Sequence, residues 1–288
     1  MGILPQLILN SIIAGAIYTL VALSFNLIYS TTKFFNLAHG VMAAIGGYAV
    51  FYFSKTLGLD IHIAIVLGVI LTGFVGFGVD KFIYLQLRKR KASNMVLLVA
   101  SLGVMTALQA IIAILFSSRF KTLSGNIDTQ KIFTILGGVI TQTQLVILLS
   151  AVLIMAGFVI FLYKTQFGKT VRAISDDEEV ARIIGINTNK IIGYIFFIGS
   201  AVTGFTGILI GFDVGIEPTM GLSLLLKGVI ASIVGGVGNI YGGVLGAFLL
   251  GFVENFGIWK ISGEWKDAIA FALLIVFLIF RPRGIMNK

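Results

Sequence analysis

The chain of 288 residues contains no cysteine. That excludes disulfides, thiol nucleophiles and thiolate metal sites. Charge is almost as scarce: Asp, Glu, Lys and Arg make up 11% of the residues, against about 25% in soluble domains. No extended polar region is left from which to build a soluble domain. Histidine occurs only at His39 and His62, too far apart in sequence and topology to suggest a metal site. The apolar segments hold no row of carboxylates to relay protons. An intramembrane enzyme would need paired acids, a histidine cluster or an activated serine there, and none is present.

Hydrocarbon fills the chain instead. Hydrophobic residues reach 58% and the mean hydropathy is +1.04. Apolar runs of about 18 residues or more, enough to cross a bilayer core, recur along the whole length. Candidate spans cover roughly 4–30, 36–53, 61–80, 94–117, 143–163, 191–212, 222–237, 238–257 and 267–281. The expected fold is an all-α integral membrane protein, a polytopic helical bundle of about eight or nine transmembrane helices forming a single domain over 1–288. Gly235, Gly236, Gly238, Gly242 and Gly243 are able to break either segment of 222–257, so one span plus a re-entrant piece stays open as an alternative. The first run begins almost at Met1, with no basic residue before it. It is too long for a signal-peptide core and reads as a retained helix.

The net charge of +9 fits orientation in a membrane better than binding to nucleic acid. Lys81, Arg88, Lys89, Arg90 and Lys91 follow the third span with no acid among them, and Arg281, Arg283 and Lys288 close the chain. Both groups are expected in the cytoplasm. The count then places the N-terminus outside, the C-terminus inside, Ser117–Thr143 outside with Asp213 and Glu217, and Gly168–Asn187 inside. The expected location is the inner (cytoplasmic) membrane.

That last loop, about 164–190, contains GKTVRAISDDEEVARIIGIN, the one stretch dense in both signs of charge. It predicts a short, separately capped helix. Ser175 and Glu178 have capping-box spacing. Asp176, Asp177, Glu178 and Glu179 suit a positive helix pole. Gly185 supplies a left-handed stop. Val180, Ile183 and Ile184 share a face. An amphipathic helix on the inner surface of a membrane protein is a candidate docking element. Gly168-Lys169-Thr170 looks like the end of a phosphate loop, but Tyr163 stands where the pattern needs glycine and a membrane helix precedes it. The sequence therefore predicts no nucleotide site and no cofactor.

Two segments echo each other. His39-Gly-Val-Met-Ala-Ala-Ile-Gly46-Gly47 parallels Lys227-Gly-Val-Ile-Ala-Ser-Ile-Val-Gly235-Gly236, with one extra residue in the second. On the expected topology they run in opposite directions, the mark of an inverted repeat with a transport pathway at its interface; small-residue helices that merely look alike are the other reading. The repeat predicts that segments near 4–80 and 191–257 superpose. Gly204, Gly207 and Gly211 share a face, as close helix packing requires. The cluster from Gly235 to Gly243 argues for unwound backbone. Ionisable residues within spans are few, and such residues are pathway candidates by default. His39 reads as a pathway residue or an interfacial one, Lys227 as a pathway residue or one snorkelling outward, and Glu254 as paired locally.

These pieces resemble the membrane permeases of ATP-binding-cassette importers, specifically the branched-chain amino acid (leucine, isoleucine, valine) permease family. The likeness covers nearly the whole chain. Asn10-Ser-Ile-Ile-Ala-Gly15-Ala-Ile-Tyr18-Thr-Leu-Val-Ala22, followed by Asn36-Leu-Ala-His39-Gly40, is similar to that family's opening span and its Asn-Phe-Ala-His-Gly motif. Gly168, Arg172-Ala173, Asp176 and Ile184-Gly185-Ile186-Asn187 match its cytoplasmic segment. Gly199, Gly204, Gly207, Lys227, Gly235-Gly236-Val-Gly238 and Gly242 match its glycine-rich C-terminal half. Leu37 replaces the usual phenylalanine, and Tyr241 stands where a proline commonly precedes the last glycine. Substrate identity is what these departures loosen, since related permeases carry urea, short amides or other amino acids.

The resemblance implies a permease subunit with no enzymatic activity of its own. It implies a second permease, similar or identical, two cytoplasmic ATPase subunits and an extracytoplasmic binding protein. The loop helix would be the coupling helix, with Val180, Ile183 and Ile184 as anchors in an ATPase groove, Arg172 and Arg182 at its rim, and Asp176 and Gly185 shaping it. Asn36, His39, Lys227, Gly235 and Gly236 are the pathway candidates. The rival reading is an ion-coupled secondary transporter or channel for a small solute, for which only the glycine cluster offers a mid-membrane site.

Overall fold

The computed structural model describes residues 3–124, 131–135 and 137–286. Part of the polar stretch Ser117–Thr143, and Lys288, lie outside the described residues. The described chain is predominantly helical. Its helices are α1 (Ile3–Thr32), α2 (Ala38–Phe51), α3 (Ile61–Val79), α4 (Leu85–Lys89), α5 (Asn94–Phe116), α6 (Gln142–Lys164), α7 (Gln166–Asp176), α8 (Glu178–Ile183), α9 (Thr188–Asp213), α10 (Met220–Gly235), α11 (Ile240–Ile258) and α12 (Lys266–Phe280). One hairpin, β1 (Ile132–Ile135) with β2 (Gly138–Thr141), is antiparallel and pairs Phe133 with Ile140.

Each expected apolar run is a helix within a few residues of its expected bounds. Six segments are long and apolar enough to cross a membrane among the described residues: Ile3–Thr32, Ile61–Lys89, Asn94–Phe116, Gln142–Lys164, Thr188–Asp213 and Ile240–Ile258. The second is α3 running through a wider turn, Asp80–Tyr84, into α4. At 14, 16 and 15 residues, α2, α10 and α12 are shorter. The molecule is thus a multi-pass membrane protein.

The contacts divide the chain into two compact units. One comprises residues 1–26, 125–156 and 226–288. Its core joins Tyr18, Ala22, Ile230, Ala231, Val234, Ala247, Leu250 and Ala270. Here α10 and α11 form a tight hairpin, because Gly235 lies against the Gly242 carbonyl and Gly246 against the Ala231 carbonyl. A side chain at these positions would push the helices apart. The β-hairpin is pinned to α1 by Gln6, whose Oε1 accepts from the Val139 N–H at 2.8 Å while its Nε2 donates to the Val139 carbonyl at 3.1 Å.

The other unit comprises residues 27–124 and 157–225. In it α9 packs along both α2 and α3, and α2 also packs on α3 and α5. The stripe Gly204, Gly207, Gly211 is what lets them close. Gly46 lies against the backbone of Gly204, Gly207 against the Ala43 carbonyl, Gly204 against Thr72, and Gly211 against Leu123. Tyr48, Met42, Ala44, Ile208 and Ile216 fill the space around this stripe.

The loop expected to hold one capped helix holds two. α7 begins at Thr165, whose hydroxyl accepts from the Gly168 N–H at 3.0 Å. Ser175 lies in the last turn of α7 and caps nothing. Asp177 is the N-cap of α8, its Oδ1 accepting from the N–H groups of Glu179 at 2.8 Å and Val180 at 3.0 Å. The capping-box expectation therefore fails. Burial decides the matter, because Gly168, Val171 and Ile174 form a buried stripe at three-residue spacing that holds α7 helical through Asp176. Asp176 accordingly sits at the C-terminal end of α7, not in the first turn of α8. Gly185 does adopt the left-handed stop, with φ of +91°.

Candidate functional site

The short helix α8 carries the expected docking residues. Ala181 points inward at 1% exposure, whereas Val180, Ile183 and Ile184 are 53%, 83% and 67% exposed. Exposed apolar side chains on the long spans can face lipid. Those of α8 sit among the exposed charges of Asp176, Asp177, Glu179 and Arg182, which need water. An exposed apolar patch rimmed by charged groups marks an interaction site. Inside α8, Arg182 and Glu178 make an i,i+4 ion pair at 2.6 Å. The same Glu178 oxygen accepts from the Thr188 hydroxyl at 3.1 Å, tying α8 to the first residue of α9.

Arg172 is engaged within the chain. Its guanidinium donates to the Leu162 carbonyl and lies 5.0 Å from the centre of the Tyr163 ring. It thereby caps the C-terminal end of α6, where a cation complements the helix dipole.

The second group of candidates lies around the break between α1 and α2. Residues 33–37 are non-helical. The backbone they expose needs partners, and uncharged polar side chains from other helices supply them. The Leu37 N–H donates to Ser101 Oγ at 3.0 Å, and Ser101 Oγ reaches the Phe35 carbonyl at 3.4 Å. Tyr84 donates its hydroxyl to Asn36 Oδ1 at 2.9 Å, with both residues buried. His39 Nε2 lies 2.7 Å from the Thr203 hydroxyl, again fully inside the protein. Nearby, the carboxylate of Asp80, itself 1% exposed, pairs with Arg88 at 2.8 Å. Asn36 and His39 are thus joined into one polar network with Tyr84, Ser101 and Thr203, which sequence reasoning missed. The only signal for Ser101 and Thr203 was polarity within apolar runs, and Tyr84, beyond the third run, gave none.

The contact of His39 with Thr203, and of Ala43 with Gly207, runs α2 parallel to α9. Thr203 lies about 22 Å along α9 from Thr188 at about 1.5 Å per residue. So α2 starts well along α9, not beside its first turn. At this level Gly40 and Gly221, near the starts of α2 and α10, press backbone to backbone, each against the other's carbonyl.

Lys227 belongs to the other unit and is held in an ionic cluster. Its Nζ lies 3.6 Å from Glu254 and 3.2 Å from Asp267, over the Tyr18 ring at 5.6 Å. Glu254 is fully buried, accepts from the Tyr18 hydroxyl at 2.6 Å and pairs with Lys266 at 3.6 Å. The buried Glu254 is thus flanked by two cations, as a buried charge requires. Gly235 and Gly236 mark the break between α10 and α11, with Gly236 at φ +112°. The Ile285 and Met286 N–H groups cap the end of α10 by donating to the Val234 and Gly235 carbonyls at 2.9 and 3.0 Å. Among the described residues, no group of three or more His, Asp or Glu side chains is placed to hold a metal.

Comparison with known proteins places the chain in a family. Residues 7–278 match the family described as "Branched-chain amino acid transport system / permease component". The chain is 30% identical over 295 residues to the high-affinity branched-chain amino acid transport system permease protein BraD of Pseudomonas aeruginosa, covering 98% of this chain and 95% of that one. It is 29% identical over 295 residues to LivH of Escherichia coli, a permease protein of the same description, with the same coverage. Among solved structures it resembles PsaBC of Streptococcus pneumoniae in complex with Fab, at a TM-score of 0.52 and 13% identity over 98% of this chain and 93% of that one, a likeness of fold. The chain belongs to the permease-component family of branched-chain amino acid transport systems.

Proposed function

We propose that this chain is the transmembrane permease subunit of an ATP-binding-cassette importer for branched-chain or related amino acids. Separate ATPase subunits drive it. The observation that carries the reading is α8: a capped helix whose Val180, Ile183 and Ile184 stand exposed amid charge, tied by Glu178 to α9. Helix-in-groove docking uses just such apolar anchors. Two cytoplasmic ATPases would seat one α8 from each of two permeases, the second permease being similar or identical. Arg182 lies at the rim of that contact. Arg172 acts from behind, by fixing α7 to the end of α6. An extracytoplasmic binding protein would deliver the amino acid and set most of the selectivity. The chain itself supplies no nucleotide site.

The proposed topology is eight or nine spans in one transmembrane domain of the inner membrane, N-terminus outside and C-terminus in the cytoplasm. The excess of Lys and Arg after α3 and at the chain end supports that orientation. An inverted repeat is supported by a shared local pattern. Each of α2 and α10 is a short helix that follows a long one across a non-helical link, and the two meet at Gly40 and Gly221. Asn36 and His39 then lie where the two halves approach, the place expected for a pathway. Lys227, Gly235 and Gly236 belong to the second half of the repeat.

The test is uptake in the reconstituted complex with Ile183→Glu and Ile184→Glu together. Uptake and substrate-stimulated ATP hydrolysis are expected to fall to background while the protein still reaches the membrane. Unchanged hydrolysis and uptake would remove α8 from the mechanism.

A further inference from the structure

Among the described residues, side-chain hydrogen bonds tie α7–α8 to the rest of its unit at separate points. One is Glu178 to Thr188, described above. Another comes from far along the chain. The ammonium of Lys33 donates to the carbonyl of Ser175 at 2.9 Å. Ser175 lies in the last turn of α7, where helix carbonyls lack helical partners and the helix dipole is negative. A flexible arm ending in a cation is well suited to that pole.

The base of the arm is held firmly. Lys33 takes a left-handed backbone at φ +55°, which few side chains tolerate. Its N–H closes on the Tyr29 carbonyl at 2.8 Å, and its carbonyl accepts from Asn94 Nδ2 at 3.4 Å. The next residue, Phe34, is buried with its ring edge-on to Tyr84 at 5.1 Å. Tyr84 in turn holds Asn36. Lys33 is therefore rooted in the first residue of the break that leads to His39.

The ties close a loop within one unit. From α8, one arm passes through Glu178 and Thr188 into α9 and along it to Thr203. From α7, the other passes through Ser175, Lys33 and Asn36 to His39. The arms rejoin where His39 meets Thr203 at 2.7 Å. A displacement of α7–α8 would reach that junction along both sides, one a helix and the other the non-helical break at 33–37.

We infer that Lys33 is a positioning residue of transport: it couples the movement of α7–α8 to the α1–α2 break and hence to the start of α2. This rests on the reading of α8 as the coupling helix. The experiment is the ratio of solute taken up to ATP hydrolysed, in the reconstituted complex of permeases, ATPases and binding protein. Lys33→Met is expected to keep ATP hydrolysis while uptake per ATP falls about fivefold or more, the lower end of typical coupling between sites. Lys33→Arg, which keeps a cation on a long arm, is expected to restore most of the ratio. An unchanged ratio in Lys33→Met, or uptake and hydrolysis falling in parallel, overturns the inference. Ile183→Glu serves beside it. If that variant is defective and Lys33→Met is not, Lys33 alone loses its role; if Ile183→Glu is silent too, the coupling reading fails and takes this one with it.

Discussion

At Asp177 a single carboxylate oxygen accepts two backbone N–H groups, and a helix of six residues rests on it. So short a helix has little propensity energy to draw on, and losing an N-cap costs about 0.5–2 kcal/mol. Asp177→Ala is therefore expected to lower uptake and the binding of the ATPase subunits to the permease, with Asp177→Asn retaining most of both. Ser175→Ala is expected to be neutral, since Lys33 uses its carbonyl and the hydroxyl caps nothing. Equal damage from both alanines would restore Ser175 as the cap. Sequence alone favoured Ser175 because Ser175 and Glu178 match the capping box in spacing. What it hid was α7, whose helix runs through Ser175 to Asp176 with Gly168, Val171 and Ile174 buried along one stripe. Gly185 was readable, because a left-handed stop depends on the local backbone.

Among the elements, α2 and α10 show how contact restricts a glycine. Gly40 presses on the Gly221 carbonyl, which has no freedom to yield, while Gly103 on α5 has open space around it. Gly40→Val is expected to reduce the thermal stability of the purified permease by more than the about 1–3 kcal/mol typical of overpacking. Gly103→Val, read in the same thermal unfolding assay, is expected to change it little. Similar losses at both positions would mean that the Gly40–Gly221 contact does not set the cost. The long helices were legible because an apolar run of sufficient length can satisfy its backbone in lipid only as a helix. The break at 33–37 was partly legible as the gap between the apolar runs 4–30 and 36–53. Its supports were not: Ser101 bonds the exposed backbone while Tyr84 and Thr203 bond the side chains of Asn36 and His39, contacts that only the fold creates. For Lys227, its place within a span was legible, whereas its ion pairs with Glu254 and Asp267 were not.

For the whole molecule, the central claim is that energy enters from a separate ATPase through α8. The family assignment and the multi-pass architecture are consistent with it, but both describe the subunit and not the route of the force. The absence of cysteine from the native chain offers a clean route to a test. A single Ile183→Cys substitution creates one reactive thiol at the most exposed anchor of α8. The measurement is labelling of that thiol by a membrane-impermeant maleimide, in right-side-out and inside-out vesicles, with and without the ATPase subunits. The account predicts labelling only from the cytoplasmic face, and its loss when the ATPases are bound. Labelling from outside, or labelling unaffected by bound ATPases, would contradict it.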